Sequence, residues 1–272
     1  MRLSSLNFNI IKLLRFLLQS FCKFILFRNY MNLIIDVGNT STKLAVFNNN
    51  KIESKTAVET KQVLNSIKHI LETYPEVRLA IVSSVGRLEK EVLVYLEANL
   101  KLVVLNHETP IPFKNLYATP KTLGIDRIAL VCASVQQFPD KNVLIIDAGT
   151  CITYDFINTN NEYLGGAISP GIRMRYKALH NQTANLPLLE TEQPKHVIGN
   201  STIEAINSGV VNGVLSELNG IISEYRSIYL DLTIILTGGD AKFLSKQLKS
   251  SIFANSNFLL EGLNYILQHN TV

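Results

Sequence analysis

Met31-Asn32-Leu33-Ile34-Ile35-Asp36-Val37-Gly38-Asn39-Thr40 is a short apolar run that ends in an acid, a glycine and a threonine. The same order returns at Val143-Leu144-Ile145-Ile146-Asp147-Ala148-Gly149-Thr150, 111 residues later counted from Asp36 to Asp147. After each turn the β-type pattern resumes, as Leu44-Ala45-Val46-Phe47 in the first copy and Ile152-Thr153-Tyr154-Asp155-Phe156 in the second. Two apolar runs around a glycine-containing turn predict a hairpin. A repeat at this spacing is a duplicated domain, not a solenoid unit.

Working outward from the first copy, Lys51-Ile52-Glu53 continues the meander past the Asn48-Asn49-Asn50 turn. Val63, Leu64, Ile67, Ile70 and Leu71 recur at helical spacing within 60–73. Leu79 to Val82 predicts a buried strand, 88–100 an amphipathic helix, and Leu102 to Leu105 another strand. The order β-β-β-α-β-α-β implies a sheet with helices packed on it. In the second copy a helical pattern spans 201–229, a strand Thr233 to Leu236, and helices lie around 240–249 and 256–269. The boundary falls near Asp140-Lys141-Asn142, so the expected domains are 31–142 and 143–272.

Residues 1–30 stand outside this scheme. They carry Arg2, Lys12, Arg15, Lys23 and Arg28 and no acid, so the net charge of +4 leaves −1 for the remainder. The body therefore offers no electrostatic reason to bind nucleic acid. Lys12, Arg15 and Lys23 interrupt every apolar run that could span a bilayer, and no small-residue cleavage site follows. An amphipathic surface helix stays open. The favoured reading is an N-terminal extension outside the fold with Met31 as the true start, and no stable membrane association. Cys22, Cys132 and Cys151 form no CxxC, and the five histidines are scattered. That argues against a disulfide framework or zinc site and for a reducing compartment.

The two D-x-G-x-T turns carry the chemistry. Glycine lets backbone N–H groups approach phosphate oxygens closely, and threonine adds a hydroxyl donor. A strand-end aspartate can hold a cation that offsets phosphate charge, and Lys43 can reach a phosphate as a point charge. One such turn is indistinguishable from an ordinary hairpin; two in homologous positions are far more specific. No GxxxxGK[ST] loop and no GxGxxG opening a helix occurs, so P-loop and Rossmann schemes fail. Ile234-Ile235-Leu236-Thr237-Gly238-Gly239-Asp240 is a third glycine turn, suited to a base or ribose lying on backbone, or a plain strand-to-helix turn. Asp126 can be a reacting carboxylate or simply the acid of a helix N-terminus, because Ile128-Ala129-Leu130-Val131 continues as a helix. Arg173 and Arg175 read as solvated helix charges.

Asp36-Val37-Gly38-Asn39-Thr40, Gly124-Ile125-Asp126-Arg127, Asp147-Ala148-Gly149-Thr150, Gly165-Gly166-Ala167-Ile168-Ser169-Pro170-Gly171 and Thr237-Gly238-Gly239 follow in this order. Over roughly 31–272, including Leu259-Leu260-Glu261-Gly262-Leu263-Asn264, the chain resembles a type III pantothenate kinase. That family lies within the acetate and sugar kinase, Hsp70 and actin superfamily. The resemblance implies an α/β fold of two duplicated ribonuclease H-like domains with an ATP cleft between them. It implies ATP-dependent phosphorylation of pantothenate, the first step of coenzyme A synthesis, in the cytoplasm.

The resemblance also implies roles. Asp36, Val37, Gly38, Asn39, Thr40, Ser41, Thr42 and Lys43 match the first ATP-phosphate motif, and Thr150 the ATP-contacting threonine of the second. Asp147 matches the carboxylate for a monovalent cation, potassium or ammonium, with Mg²⁺ carried by ATP. Asp126 matches the general base. Tyr117, Gly124, Ile125, Asp126 and Arg127 match the pantothenate contacts, an arginine suiting a carboxylate by bidentate geometry. Thr202 matches a threonine that reaches the substrate from the other subunit of a homodimer. The apolar stripe Ile203, Ile206, Val210, Val214 and Leu218, with Gly209, Gly213 and Gly220, fits either that interface or an intradomain core face. Two alternatives remain: a nucleotide-binding accessory or regulatory protein of the superfamily, and a related small-molecule kinase.

Overall fold

Residues 30–38, 41–83, 88–248 and 251–271 are described by a computed structural model. The reading of the N-terminal extension therefore lies outside the described residues, except for Tyr30. So do the parts of the first motif at Asn39 and Thr40.

The chain divides into two compact units, one ending at Asn106 and the other beginning at His107. In the first, β1 (Met31–Val37), β2 (Thr42–Asn48) and β3 (Lys51–Val58) form the expected antiparallel meander. Helix α1 (Val63–Thr73) leads to β4 (Val77–Val82), and α2 (Lys90–Asn99) to β5 (Lys101–Val104). The sheet order is β3-β2-β1-β4-β5, with β4 and β5 parallel to their inner neighbours. Alternation along the strands sends Leu33, Ile35, Val37, Leu44 and Val46 to one face. There they pack with Val63, Ile67 and Ile70 of α1 and Val92 and Leu96 of α2. Each side chain buried in this way contributes about 1.5–3 kcal/mol.

The second unit repeats the plan. Strands β7 (Asn142–Ala148), β8 (Cys151–Ile157) and β9 (Glu162–Pro170) form the meander, and β10 (Leu232–Thr237) and β11 (Phe253–Ala254) add in parallel. Read from β9, the order β9-β8-β7-β10-β11 reproduces that of the first sheet, strand for strand and direction for direction. The duplication inferred from two short motifs is thus a duplication of the whole sheet. One short strand is extra: β6 (Lys114–Asn115) pairs parallel to β9 at Glu162 and Tyr163.

That strand bears on the domain boundary. The contact-based division at 106/107 differs from the expected one at 142/143 by the segment 107–142. This segment gives β6 to the second sheet. It also gives α3 (Ile125–Gln137), which packs on β7, β8 and α8 (Phe258–His269). A Cβ on Gly262 would stand 1.9 Å from the Ala129 carbonyl oxygen, so α3 and α8 cross in close backbone contact. The apolar sequence of α3 finds its partner there.

On the other side of the second sheet, Leu144, Ile146, Ile152 and Tyr154 pack against α4 (Ile172–Asn181) and a long helical stretch. The stretch comprises α5 (Thr202–Asn207), a π-helical segment Ser208–Asn212 and α6 (Gly213–Ile228). Its stripe residues Ile206, Val210, Val214 and Leu218 are buried in this core, so the intradomain alternative holds for these four. Ile203 stays 52% exposed, and Gly209, Gly213 and Gly220 face outward with nothing near a would-be Cβ. A short helix α7 (Ala241–Ser245) follows β10. Among the described residues, no helix is long and apolar enough to cross a membrane.

Candidate active site

In the first unit the β1–β2 register places Asp36 opposite Lys43. Asp36 is buried, with Lys43 Nζ 3.6 Å from its Oδ2. Ser83, just past β4, donates to Asp36 Oδ1 over 3.1 Å and accepts from the Val37 N–H over 3.1 Å. The carboxylate is therefore fixed by a neighbouring strand, which the sequence did not single out. The Lys43 amine is half exposed, and an ion pair of that kind contributes about 0–1 kcal/mol, so little holds it from an arriving phosphate. Gly38 N–H closes the turn onto the Ser41 carbonyl at 3.1 Å. Thr42 behaves differently from its neighbours: it is fully buried beside Val37, so its side chain belongs to the core face.

In the second unit Asp147 is the last residue but one of β7, paired with Thr153 of β8 and Thr237 of β10. The turn after it is held from two sides. The Ala148 carbonyl accepts from Asp240 N–H at 2.9 Å, and the Thr150 carbonyl from Gly171 N–H at 3.1 Å. Gly238 has φ +92, and a Cβ there would stand 2.3 Å from Asp147 Oδ1 and 2.5 Å from the Ala148 carbonyl. A Cβ on Gly171 would stand 2.4 Å from the carbonyl oxygens of both Gly149 and Thr150. The Thr237-Gly238-Gly239 and Ser169-Pro170-Gly171 motifs thus converge on the Asp147–Thr150 turn and leave Thr150 exposed.

Arg173 and Arg175 are not idle helix charges. Arg173 Nη2 lies 3.2 Å from Asp240 Oδ1, and Asp240 is buried. Burial raises the Asp240 carboxyl, with Arg173 opposing. Arg175 donates to the Pro170 carbonyl, Ser169 Oγ and Glu217, while Tyr154 OH donates to Glu217 over 2.8 Å.

Among the described residues no three His, Cys, Asp or Glu side chains cluster as a metal chelate. Asp147 is a single carboxylate. Gly238 packs directly against its Oδ1, where a Cβ would stand only 2.3 Å away. Such an oxygen-only, single-carboxylate donor set suits a weakly held hard cation, not a transition metal.

The third group is built around α3. Asp126 lies exposed in its first turn, with Oδ1 accepting from Arg127 N–H over 2.9 Å. Gly124 makes this possible, since a Cβ there would lie 2.3 Å from that oxygen. Ile125 is half-buried beside it. Arg127 turns inward and is only 5% exposed. Its Nε donates to Asp155 Oδ1 over 2.8 Å, and its Nη2 sits 2.8 Å from the same oxygen. Tyr163 OH donates to Asp155 Oδ1 over 2.7 Å and Thr153 Oγ1 to Oδ2 over 3.3 Å. The Arg127 guanidinium carbon lies 5.8 Å from the centre of the Tyr117 ring, whose other neighbour is Tyr163. Burial pushes Asp155 up to about 6, against the pull of Arg127 and its hydrogen-bond donors. For Arg127, burial works against the charge, but Asp155 and Tyr163 raise its pKa overall.

The structure therefore brings Tyr117, Gly124, Asp126 and Arg127 into one contiguous group, and Asp147 and Thr150 into another. Thr202 opens α5, exposed, behind a Ser201 cap that accepts from Glu204 N–H at 3.3 Å. Val197 and Ile198 near it are 80% and 84% exposed.

A profile of the family described as type III pantothenate kinase matches residues 32–224. A type III pantothenate kinase of Flavobacterium johnsoniae is 53% identical over 239 residues, covering 88% of this chain and 98% of the relative. One from Bacteroides fragilis is 44% identical over 241 residues, with 88% and 98% covered. The chain belongs to the type III pantothenate kinase family. Among solved structures, a Baf family protein from Campylobacter jejuni aligns with TM-score 0.55 at 21% identity, covering 88% of this chain and 98% of that one. The ROK hexokinase of Thermus thermophilus aligns at 0.50 and 11%, over 89% and 100%. Those two likenesses speak for the duplicated fold alone.

Within a type III pantothenate kinase, the supports are residues to which sequence reading gave no role, Ser83, Asp155, Tyr163 and Asp240, and Arg173, which it read as a solvated charge. A signal existed for Asp155, the one charged residue in the apolar strand run Cys151–Ile157. A charge in such a place is buried only with a partner.

Proposed function

We propose that this chain transfers the γ-phosphoryl group of ATP to the primary hydroxyl of pantothenate, giving ADP and 4′-phosphopantothenate, the first step of coenzyme A synthesis. The observation that carries this is the 53% identity with a type III pantothenate kinase across 98% of that relative. Phosphoryl transfer runs through a loose transition state, so the protein's work is positioning and charge stabilisation. Asp126 orients the hydroxyl and accepts its proton late, its own carboxylate steadied by the Arg127 N–H. The segment Asp36 to Lys43 receives the ATP phosphates through Gly38 backbone and the Lys43 amine, and Thr150 contacts ATP from the second turn. Asp147 would hold a potassium or ammonium ion, whose charge would offset that of the phosphates; Mg²⁺ would arrive on ATP. Tyr117, Gly124, Ile125 and Arg127 hold pantothenate. Thr202 completes the pantothenate site of a partner subunit in a homodimer, which suits the exposed Val197, Ile198 and Ile203 around it. The enzyme works in the cytoplasm.

The test is mass spectrometry of reaction mixtures containing ATP and pantothenate, with potassium or with Tris as the only monovalent cation. The proposal expects phosphopantothenate, made faster with potassium. Nucleotide binding without product would instead favour an accessory role, and equal rates in Tris would remove the cation from Asp147.

A further inference from the structure

Arg127 presents a physical problem. A guanidinium only 5% exposed cannot rely on water to hold its charge or its geometry. Asp155 answers both needs. It is fully buried on β8, and one of its oxygens takes Arg127 Nε at 2.8 Å, the Nη2 contact at 2.8 Å and Tyr163 OH at 2.7 Å. The second oxygen takes Thr153 Oγ1. Tyr163 and Thr153 fix the carboxylate, and a carboxylate so fixed leaves the arginine few alternative rotamers. The aromatic neighbours close the remaining freedom. Tyr163 packs against Phe113 at 6.0 Å and Tyr117 at 6.1 Å, and Tyr117 lies beside the guanidinium.

The Gly165-Gly166 pair of β9 belongs to the same construction. Gly165 has φ +108, and a Cβ there would stand 3.2 Å from Tyr117 Cδ2. A Cβ on Gly166 would stand 1.7 Å from the Tyr154 carbonyl oxygen. The glycines let β9 pair closely alongside β8 and leave the Tyr117 ring its place. Substrate-loop residues on two separate elements, Tyr117 after β6 and Arg127 on α3, are thereby referred to one rigid pair of strands.

We propose that Asp155, assisted by Tyr163, is a positioning residue of the pantothenate site: it fixes the guanidinium of Arg127 in the orientation that binds substrate. This rests on the assignment of Arg127 to that site given above. Asp155 touches no substrate in this scheme and acts only through Arg127. Its loss should therefore weaken pantothenate binding while leaving ATP binding alone.

The experiment is steady-state kinetics on Asp155→Asn, Arg127→Met, the double variant and Tyr163→Phe. Asp155→Asn should raise the pantothenate KM about tenfold or more, the scale of a lost hydrogen bond to a charged group. The KM for ATP should stay within about twofold. In the double variant the pantothenate KM should match that of Arg127→Met alone, because a residue that acts through another adds nothing once that other is gone. Where the buried Asp155 variant does not fold, Tyr163→Phe decides, with a smaller rise confined to pantothenate. A rise for Arg127→Met without one for Asp155→Asn would overturn the positioning role and leave the Arg127 assignment standing. Equal rises for both substrates would mark Asp155 as merely structural and also overturn it. An unchanged KM for Arg127→Met would remove Arg127 from the site, and this inference with it.

Discussion

At the scale of single residues, what distinguishes this chain is how its chemical groups are held. Asp36 depends on Ser83, Asp126 on the Arg127 N–H and the absence of a side chain at Gly124, and Arg127 on Asp155. The candidate site residues were legible because their motifs are contiguous in sequence. Their supports were not, since Ser83 is 47 residues from Asp36 and Asp155 is 28 from Arg127. Asp155 also makes a prediction about pH. Its facing groups are Arg127, Tyr163 and Thr153, and burial raises it from 3.8 to about 6. Between those values the folded chain keeps a proton that the unfolded chain has released. This carboxyl therefore makes stability fall as pH rises through the window, and the slope vanishes above about 6. Urea unfolding at about pH 4.5 and about pH 6.5 should show that Asp155→Asn loses this fall relative to the unsubstituted protein. Parallel profiles for the two proteins would contradict it.

At the scale of elements, the meander strands and the amphipathic helices were readable because one residue pattern decided each. The hairpins around Gly38 and Gly149 followed from apolar runs on both sides of a turn, and α1 from its 3.6-residue spacing. Strand β9 was quoted as a glycine motif and not read as a strand, for Gly165, Gly166 and Pro170 all disfavour strands in isolation. Pairing along β8 from Cys151 to Ile157 overrides that preference. The segment 107–142 went to the second unit for a comparable reason: the partners of β6 and α3 are distant in sequence and invisible to periodicity. The contact that fixes α3 is testable. Gly262→Ala would drive a methyl toward the Ala129 carbonyl, 1.9 Å from its ideal position, with only backbone to yield. Overpacking of this kind costs about 1–3 kcal/mol. A shift of the urea midpoint to lower concentration is expected, and an unchanged midpoint would mean that α3 and α8 are not in backbone contact.

At the scale of the whole molecule, one strand order occurs twice, and each copy carries a D-x-G turn at the same place, between the first two strands of its meander. The duplication was visible in two short stretches, Met31 to Thr40 and Val143 to Thr150. The stripe offers no interface, because four of its five residues, Ile206, Val210, Val214 and Leu218, are core instead. What remains for a partner is the exposed neighbourhood of Thr202. Mixing Asp126→Asn subunits with Thr202→Arg subunits tests it: a mixed dimer has one doubly damaged site and one intact one. Up to about half of the sites in mixed dimers should recover, and no recovery after verified subunit exchange would take Thr202 out of the partner's site. The central claim is simpler and meets a simpler measurement, pantothenate-dependent ADP release by the intact chain beside its Asp126→Asn variant. ADP release should require pantothenate and fall by about 10²- to 10⁴-fold in the variant, with ATP binding retained. Release that ignores pantothenate, or a variant as fast as the parent, would contradict the account.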